Sequence, residues 1–169
     1  MPSSVPAPEV LDAGLAERLQ KLRWLSTEVG IWSIWTDPSL LAEIGATVAR
    51  TLDRSEYDAV VGVCAIGSAL AWVLAYHARF PGPVYSSYES PGILPVPGEA
   101  LAGKRVLVVQ GRIITAQDTE AAIRRVEVLG GRCRDVLALK WAPEQQHRKR
   151  RAPLHRLCLQ GIRFMVLCD

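Results

Sequence analysis

Residues 105–123, "RVLVVQGRIITAQDTEAAI", decide the fold. After Arg105 the first residues are apolar and β-branched, the composition of a strand buried on both faces. A polar turn follows from Gln110, and then a helix-forming run over 118–129 that Gly130-Gly131 stops. A strand that runs through a turn into a helix can hold a phosphate there, because first-turn N–H groups are unpaired and the helix dipole attracts anions. In this turn, however, Gln110, Gly111, Arg112 and Asp118 stand where acids and glycines are usual. The sequence therefore poses one question: working phosphate loop, or the shell of one.

Outward from this unit the pattern alternates. Strands are predicted at 59–64, 83–87, 105–109, 133–139 and 162–167, and helices at 68–79 and 118–129, with "IGS" (66–68) as a turn. Upstream, residues 9–29 place Leu11, Leu15, Leu19, Leu22 and Leu25 at helical spacing. "GIWSIW" (30–35) predicts a short strand, with Trp32 and Trp35 on one face as core residues. Asp37 and Pro38 are an N-cap and a first helical residue. Residues 1–8 are Pro/Ser-rich and expected to be disordered, which leaves 9–169 as a single domain.

Alternating apolar strands and helices predict a mostly parallel sheet covered on both faces, with ligands at the carboxyl ends of its strands. That geometry puts "AIGS" (65–68) and "QGRIITAQD" (110–118) on one rim, facing one pocket.

Bulk properties narrow the function classes. The 169 residues suit one domain, and a net charge of +3 is too small to imply a polyanionic partner. Cys64, Cys133, Cys158 and Cys168 lie far apart without CxxC spacing, which argues against zinc and disulfides and fits a reducing cytoplasm. His77, His147 and His155 form no metal or catalytic pattern by spacing. The N-terminal ten residues lack a basic region followed by an apolar run, so no signal peptide is expected. The uncharged stretch 59–76 has the length of a marginal membrane span, but its texture is strand, turn and helix, and it is expected to be buried in protein.

The order strand, "CAIGSALA" (64–71), proline-rich excursion and "LAGKRVLVVQGRIITAQDTEAAIRRVEVLGG" (101–131) resembles a type I phosphoribosyltransferase. "WSIWTDPSLLAEIGATVA" (32–49) and "LCLQGIRFMVL" (157–167) are most similar to the orotate phosphoribosyltransferase branch, and the resemblance runs from about residue 15 to 168. It implies an α/β fold with a central, mostly parallel sheet flanked by helices and a small N-terminal helical hood. It also implies a four-part site for phosphoribosyl pyrophosphate (PRPP).

Ala65, Ile66, Gly67 and Ser68 match the pyrophosphate loop. Gly67 fits either a turn whose N–H groups approach an anion or a plain strand-to-helix turn. Two adjacent acids hold the ribose hydroxyls in the family; Gln110 and Gly111 stand there, and neither offers a carboxylate. Gln110 reads alternatively as a loop amide solvating the sheet edge. In the 5′-phosphate turn Thr115 matches, Ala116 replaces a glycine, and Asp118 replaces a phosphate-binding threonine. Asp118 is expected to act as the helix N-cap and to fill the anion site from within. The fourth part, a loop that supplies cations to the pyrophosphate, corresponds to residues 80–103, which contain no Lys, Arg or His. Pro91, Pro95 and Pro97 make it an extended loop rather than a mobile lid.

These departures point to a chain that has lost transferase activity and acts as a ligand- or partner-binding homodimer. The resemblance implies dimerisation beside the site, where the apolar helix with Trp72 and Tyr76 can supply a surface; Trp72 also reads as core. No cofactor is expected, and Mg²⁺ enters only with bound PRPP. The alternative is an active phosphoribosyltransferase with substituted groups, in which Arg112 binds an anion rather than sitting solvated on the rim. A second alternative is nucleic-acid binding through "HRKRRAPLHR" (147–156), with Arg148, Lys149, Arg150 and Arg151 on phosphates. Such runs are more often a solvated connection between strands, and no aromatic is interleaved here to stack bases.

Overall fold

A computed structural model describes residues 7–21, 34–80, 82–87, 100–114, 116–142 and 152–168. Six strands form one sheet: β1 (Glu9–Val10), β2 (Ala59–Val63), β3 (Val84–Ser87), β4 (Arg105–Ile113), β5 (Arg132–Trp141) and β6 (Arg163–Cys168). Their spatial order is β1-β6-β5-β4-β2-β3, and every neighbouring pair is parallel. Such a sheet needs helices on both faces, and the chain supplies them as α1 (Ala13–Lys21), α2 (Pro38–Thr51), α3 (Cys64–His77), α4 (Gln117–Val128) and α5 (Ala152–Leu159).

The side-chain alternation of β4 shows how the two layers arise. Leu107 and Val109 face one core with Leu19, Ile44, Leu70 and Leu74 of α1, α2 and α3. Val106 and Val108 face the other, with Ile123 and Val126 of α4 and Leu154 and Leu157 of α5. The predicted α/β architecture with a parallel sheet is therefore the observed one.

Several local expectations are corrected. The predicted helix over 9–29 begins only at Ala13, because Asp12 accepts from the Leu15 N–H and caps it; Glu9 and Val10 instead pair with β6. Leu22 and Leu25 lie outside the described residues. Of the predicted strand 30–35, Ile34 to Thr36 form a 3-10 turn, and residues 30–33 lie outside the description. Ile34 is buried and Trp35 half-buried, as core residues should be. The start signal of α2 is as read: Asp37 accepts from the N–H groups of Ser39 and Leu40, with Pro38 as first helical residue.

The turn expected at 66–68 does not exist. Helix α3 starts at Cys64, directly after β2, through a left-handed φ of +58° at Cys64. Two glycines let this helix lie on the sheet: a Cβ on Gly62 would stand 2.4 Å from Ser68 Cα, and one on Gly67 2.5 Å from the Val109 carbonyl oxygen. The apolar stretch 59–76 is thus β2 and most of α3, and no helix among the described residues is long and apolar enough to cross a membrane.

Candidate functional site

The carboxyl ends of β2 and β4 build the rim where the resemblance expects a substrate. Strand β4 does not end at 109 but continues through Gln110, Gly111 and Arg112 to Ile113, because β5 pairs with it throughout. The supposed loop residues are therefore strand residues. Gln110 lies opposite Val63 on one side and Ala138 on the other, and it is buried. Its side-chain carbonyl accepts a hydrogen bond from the hydroxyl of Thr119, in the first turn of α4. Gln110 is not an amide solvating a sheet edge; it ties the strand to the helix that follows.

Gly111 has a different neighbour. A Cβ there would stand 2.4 Å from Cγ2 and 2.8 Å from Cβ of Ile66. The expected pyrophosphate-loop residue Ile66 thus fills the space that a side chain at position 111 would need. Ala65 and Ile66 are half-buried, while Gly67 and Ser68 are buried, and all four lie in the opening turns of α3. The Ser68 hydroxyl lies 3.4 Å from the Gly62 carbonyl, to which it donates.

Helix α4 begins one residue earlier than predicted, and Asp118 is not its N-cap. Ala116 occupies that position in a left-handed conformation, with φ +61°, and offers no side-chain cap. Asp118 is the second helical residue and exposed, so it answers the helix dipole as a charge rather than as a capping acceptor. Its carboxylate nevertheless bears on the rim: burial, and then the charge of Asp118, push the Cys64 thiol above its ordinary pKa. The first turns of α3 and α4 therefore share one rim, as the topology predicted. Thr115 lies outside the described residues.

Arg112 lies in β4 opposite Lys140 of β5 and is half-buried. Among the described residues no group of three or more His, Cys, Asp or Glu side chains could hold a metal ion. Most of the proline-rich loop, at 88–99, lies outside the described residues, as do Arg148, Lys149, Arg150 and Arg151. The end of the basic run is described, and it corrects the expectation of a solvated connection. Residues Ala152–Leu159 form α5, and Leu154 and Leu157 enter the core. Arg156 makes two bonds of 2.8 Å to the buried Glu120 carboxylate, which holds that carboxyl below its ordinary pKa.

Sequence reasoning missed Thr119 and the Ile66–Gly111 contact. No spacing rule could have found the second, which joins residues far apart in the chain. Trp72 and Tyr76, one helical turn apart on α3, are 56% and 81% exposed, so Trp72 is not a core residue.

No family model and no curated protein sequence matches the chain. Solved structures do. Orotate phosphoribosyltransferase of Mycobacterium tuberculosis in complex with inorganic phosphate is 17% identical, with a TM-score of 0.71 over 96% of this chain and 94% of that one. The same enzyme in complex with PRPP is 18% identical, with a TM-score of 0.64 over 92% of this chain and 87% of that one. Adenine phosphoribosyltransferase of Thermoanaerobacter pseudethanolicus is 21% identical, with a TM-score of 0.62 over 80% and 83%. The chain has the type I phosphoribosyltransferase fold.

Proposed function

We propose that this fold is kept here without PRPP-dependent transferase activity, as a homodimer that binds a ligand or a protein partner. The observation that carries the reading is the contact of Ile66 with Gly111. Transfer from PRPP needs acceptors for the ribose hydroxyls, a cradle for the 5′-phosphate and cations for the departing pyrophosphate. The first acceptor position is Gln110, whose carbonyl is already engaged by Thr119. The second is Gly111, where Ile66 leaves no room for a carboxylate. At the cradle, the Asp118 charge opposes a phosphate dianion. Losing charge-assisted bonds to both hydroxyls costs about 1.5–3 kcal/mol each, enough to abolish useful affinity.

The exposed Trp72 and Tyr76 support a partner surface on α3, a helix without a charged residue from Cys64 to Tyr76. A second copy of the chain is the occupant we assign to it. The four free thiols support a reducing, cytoplasmic compartment. Mg²⁺ belongs to this account only as a companion of PRPP. The test is calorimetric titration with PRPP and Mg²⁺, followed by addition of orotate and mass spectrometry for a nucleotide. No heat and no nucleotide is the expected result; turnover would establish the active-transferase alternative instead.

A further inference from the structure

The opposite end of the sheet, at the amino ends of the central strands β4 and β5, holds a cavity of about 320 Å³ lined by Tyr57, Glu56, Arg105, Arg132, Arg134 and Asp135. Its floor is the buried pair Tyr57 and Asp135, which the exposed Arg163 braces from outside. Asp135 accepts 2.9 Å from the Tyr57 hydroxyl on one carboxylate oxygen and 2.7 Å from Arg163 Nε on the other. A β-bulge aims this carboxylate: Val106 lies opposite Cys133 and Leu107 opposite Asp135, so Arg134 is the extra residue. Cys133 consequently enters one core, while Asp135 turns to the other face to meet Tyr57.

The rim of the cavity is cationic. Arg105 is bound to Asp58 through two nitrogens at 2.9 Å. The guanidinium groups of Arg132 and Arg134 have no ion-pair or hydrogen-bond partner among the described residues, and both residues are exposed. Two exposed guanidinium forks lining one cavity suit a phosphate, which a guanidinium can bind bidentately. The carboxylates of Glu56 and Asp135 call for the opposite: hydrogen-bond donors, since an ionised carboxylate only accepts. One small molecule that carries both is a phosphorylated polyol, and the cavity is of the size that holds one.

We propose that this cavity is a sugar-phosphate site, with the phosphate on Arg132 and Arg134 and the hydroxyls donating to Asp135 and Glu56. It lies at the end of the sheet opposite the rim of Gln110 and Gly111 and shares no lining residue with that rim.

The test is a ¹H–¹⁵N titration of the full chain with glucose 6-phosphate, and with glucose and inorganic phosphate separately. Glucose 6-phosphate should shift the amides of residues 105–106 and 132–135 and bind more tightly than either component. R132A/R134A, two exposed positions, should weaken it by about tenfold or more, the scale of one charge-assisted bond. E56Q should weaken glucose 6-phosphate and leave inorganic phosphate unchanged. Shifts confined to residues 64–68 and 116–119, no shifts at all, equal affinity for inorganic phosphate, or indifference to R132A/R134A would each overturn the proposal.

Discussion

Ile66 of α3 stands against Gly111 of β4 so closely that a Cβ on the glycine would lie 2.4 Å from Ile66 Cγ2. One residue comes from the expected pyrophosphate element and the other from the expected acid pair. Ile66 therefore fills the space that a side chain at position 111 would need.

Gly111→Asp should therefore destabilise the protein rather than restore a site. The new side chain overlaps a packed branched residue, and the cost should reach at least about 2 kcal/mol, as overpacking does. Ile66→Ala in the same chain should recover a large part of that loss. Denaturant melts of the single and double variants check this, since residues in contact show non-additive effects.

Thr119→Val removes the donor to Gln110 while keeping the shape of the side chain. Gln110 is buried, so its carbonyl is left without that bond, at a cost of about 1–3 kcal/mol. Adding Gln110→Leu to the Thr119→Val protein should then restore stability, because an apolar pair leaves no buried acceptor unpaired. Equilibrium unfolding of the wild type and the two variants measures both effects.

Tyr57 should ionise late. Burial first, and then the nearby Asp135 charge, push its phenol above the ordinary value of 10.0. A group whose folded pKa is raised contributes stability that is complete below the unfolded pKa and is lost as pH climbs from there toward the folded one. Ultraviolet titration should show a tyrosine, Tyr57, that stays protonated well above pH 10.0 until the chain unfolds. Tyr57→Phe should remove that late step and lower stability at neutral pH by about 1.5–3 kcal/mol, the cost of a bond to a charged group.

Trp72→Glu should convert a dimer into a monomer in sedimentation experiments while leaving the melting curve of the monomer intact. Trp72 is more than half exposed, so the substitution removes surface and not core. A wild-type protein that sediments as a monomer would refute the dimer.

The sheet was legible because its strands are apolar on both faces, and RVLVV followed by a helix-forming run admits few other arrangements. The start of α2 was legible because Asp37 and Pro38 act locally. The rim was harder to read. Gln110 to Ile113 look like a turn by composition, yet pairing with β5 extends the strand, a tertiary effect that overrides local preference. Asp118 has the chemistry of an N-cap, but the left-handed backbone of Ala116 starts the helix a residue sooner. Helix α5 overlaps the end of a basic run, where Leu154 and Leu157 supply its buried face. The bulge at Arg134, which aims Asp135 at Tyr57, leaves no mark in a strand of ordinary composition.

The most direct test of the central claim is the affinity of the purified protein for PRPP with Mg²⁺, read by calorimetry. A closed rim predicts no measurable heat of binding. Saturable binding, followed by a nucleotide product when orotate is added, would contradict the account and mean that Gln110 and Arg112 serve where acids are usual.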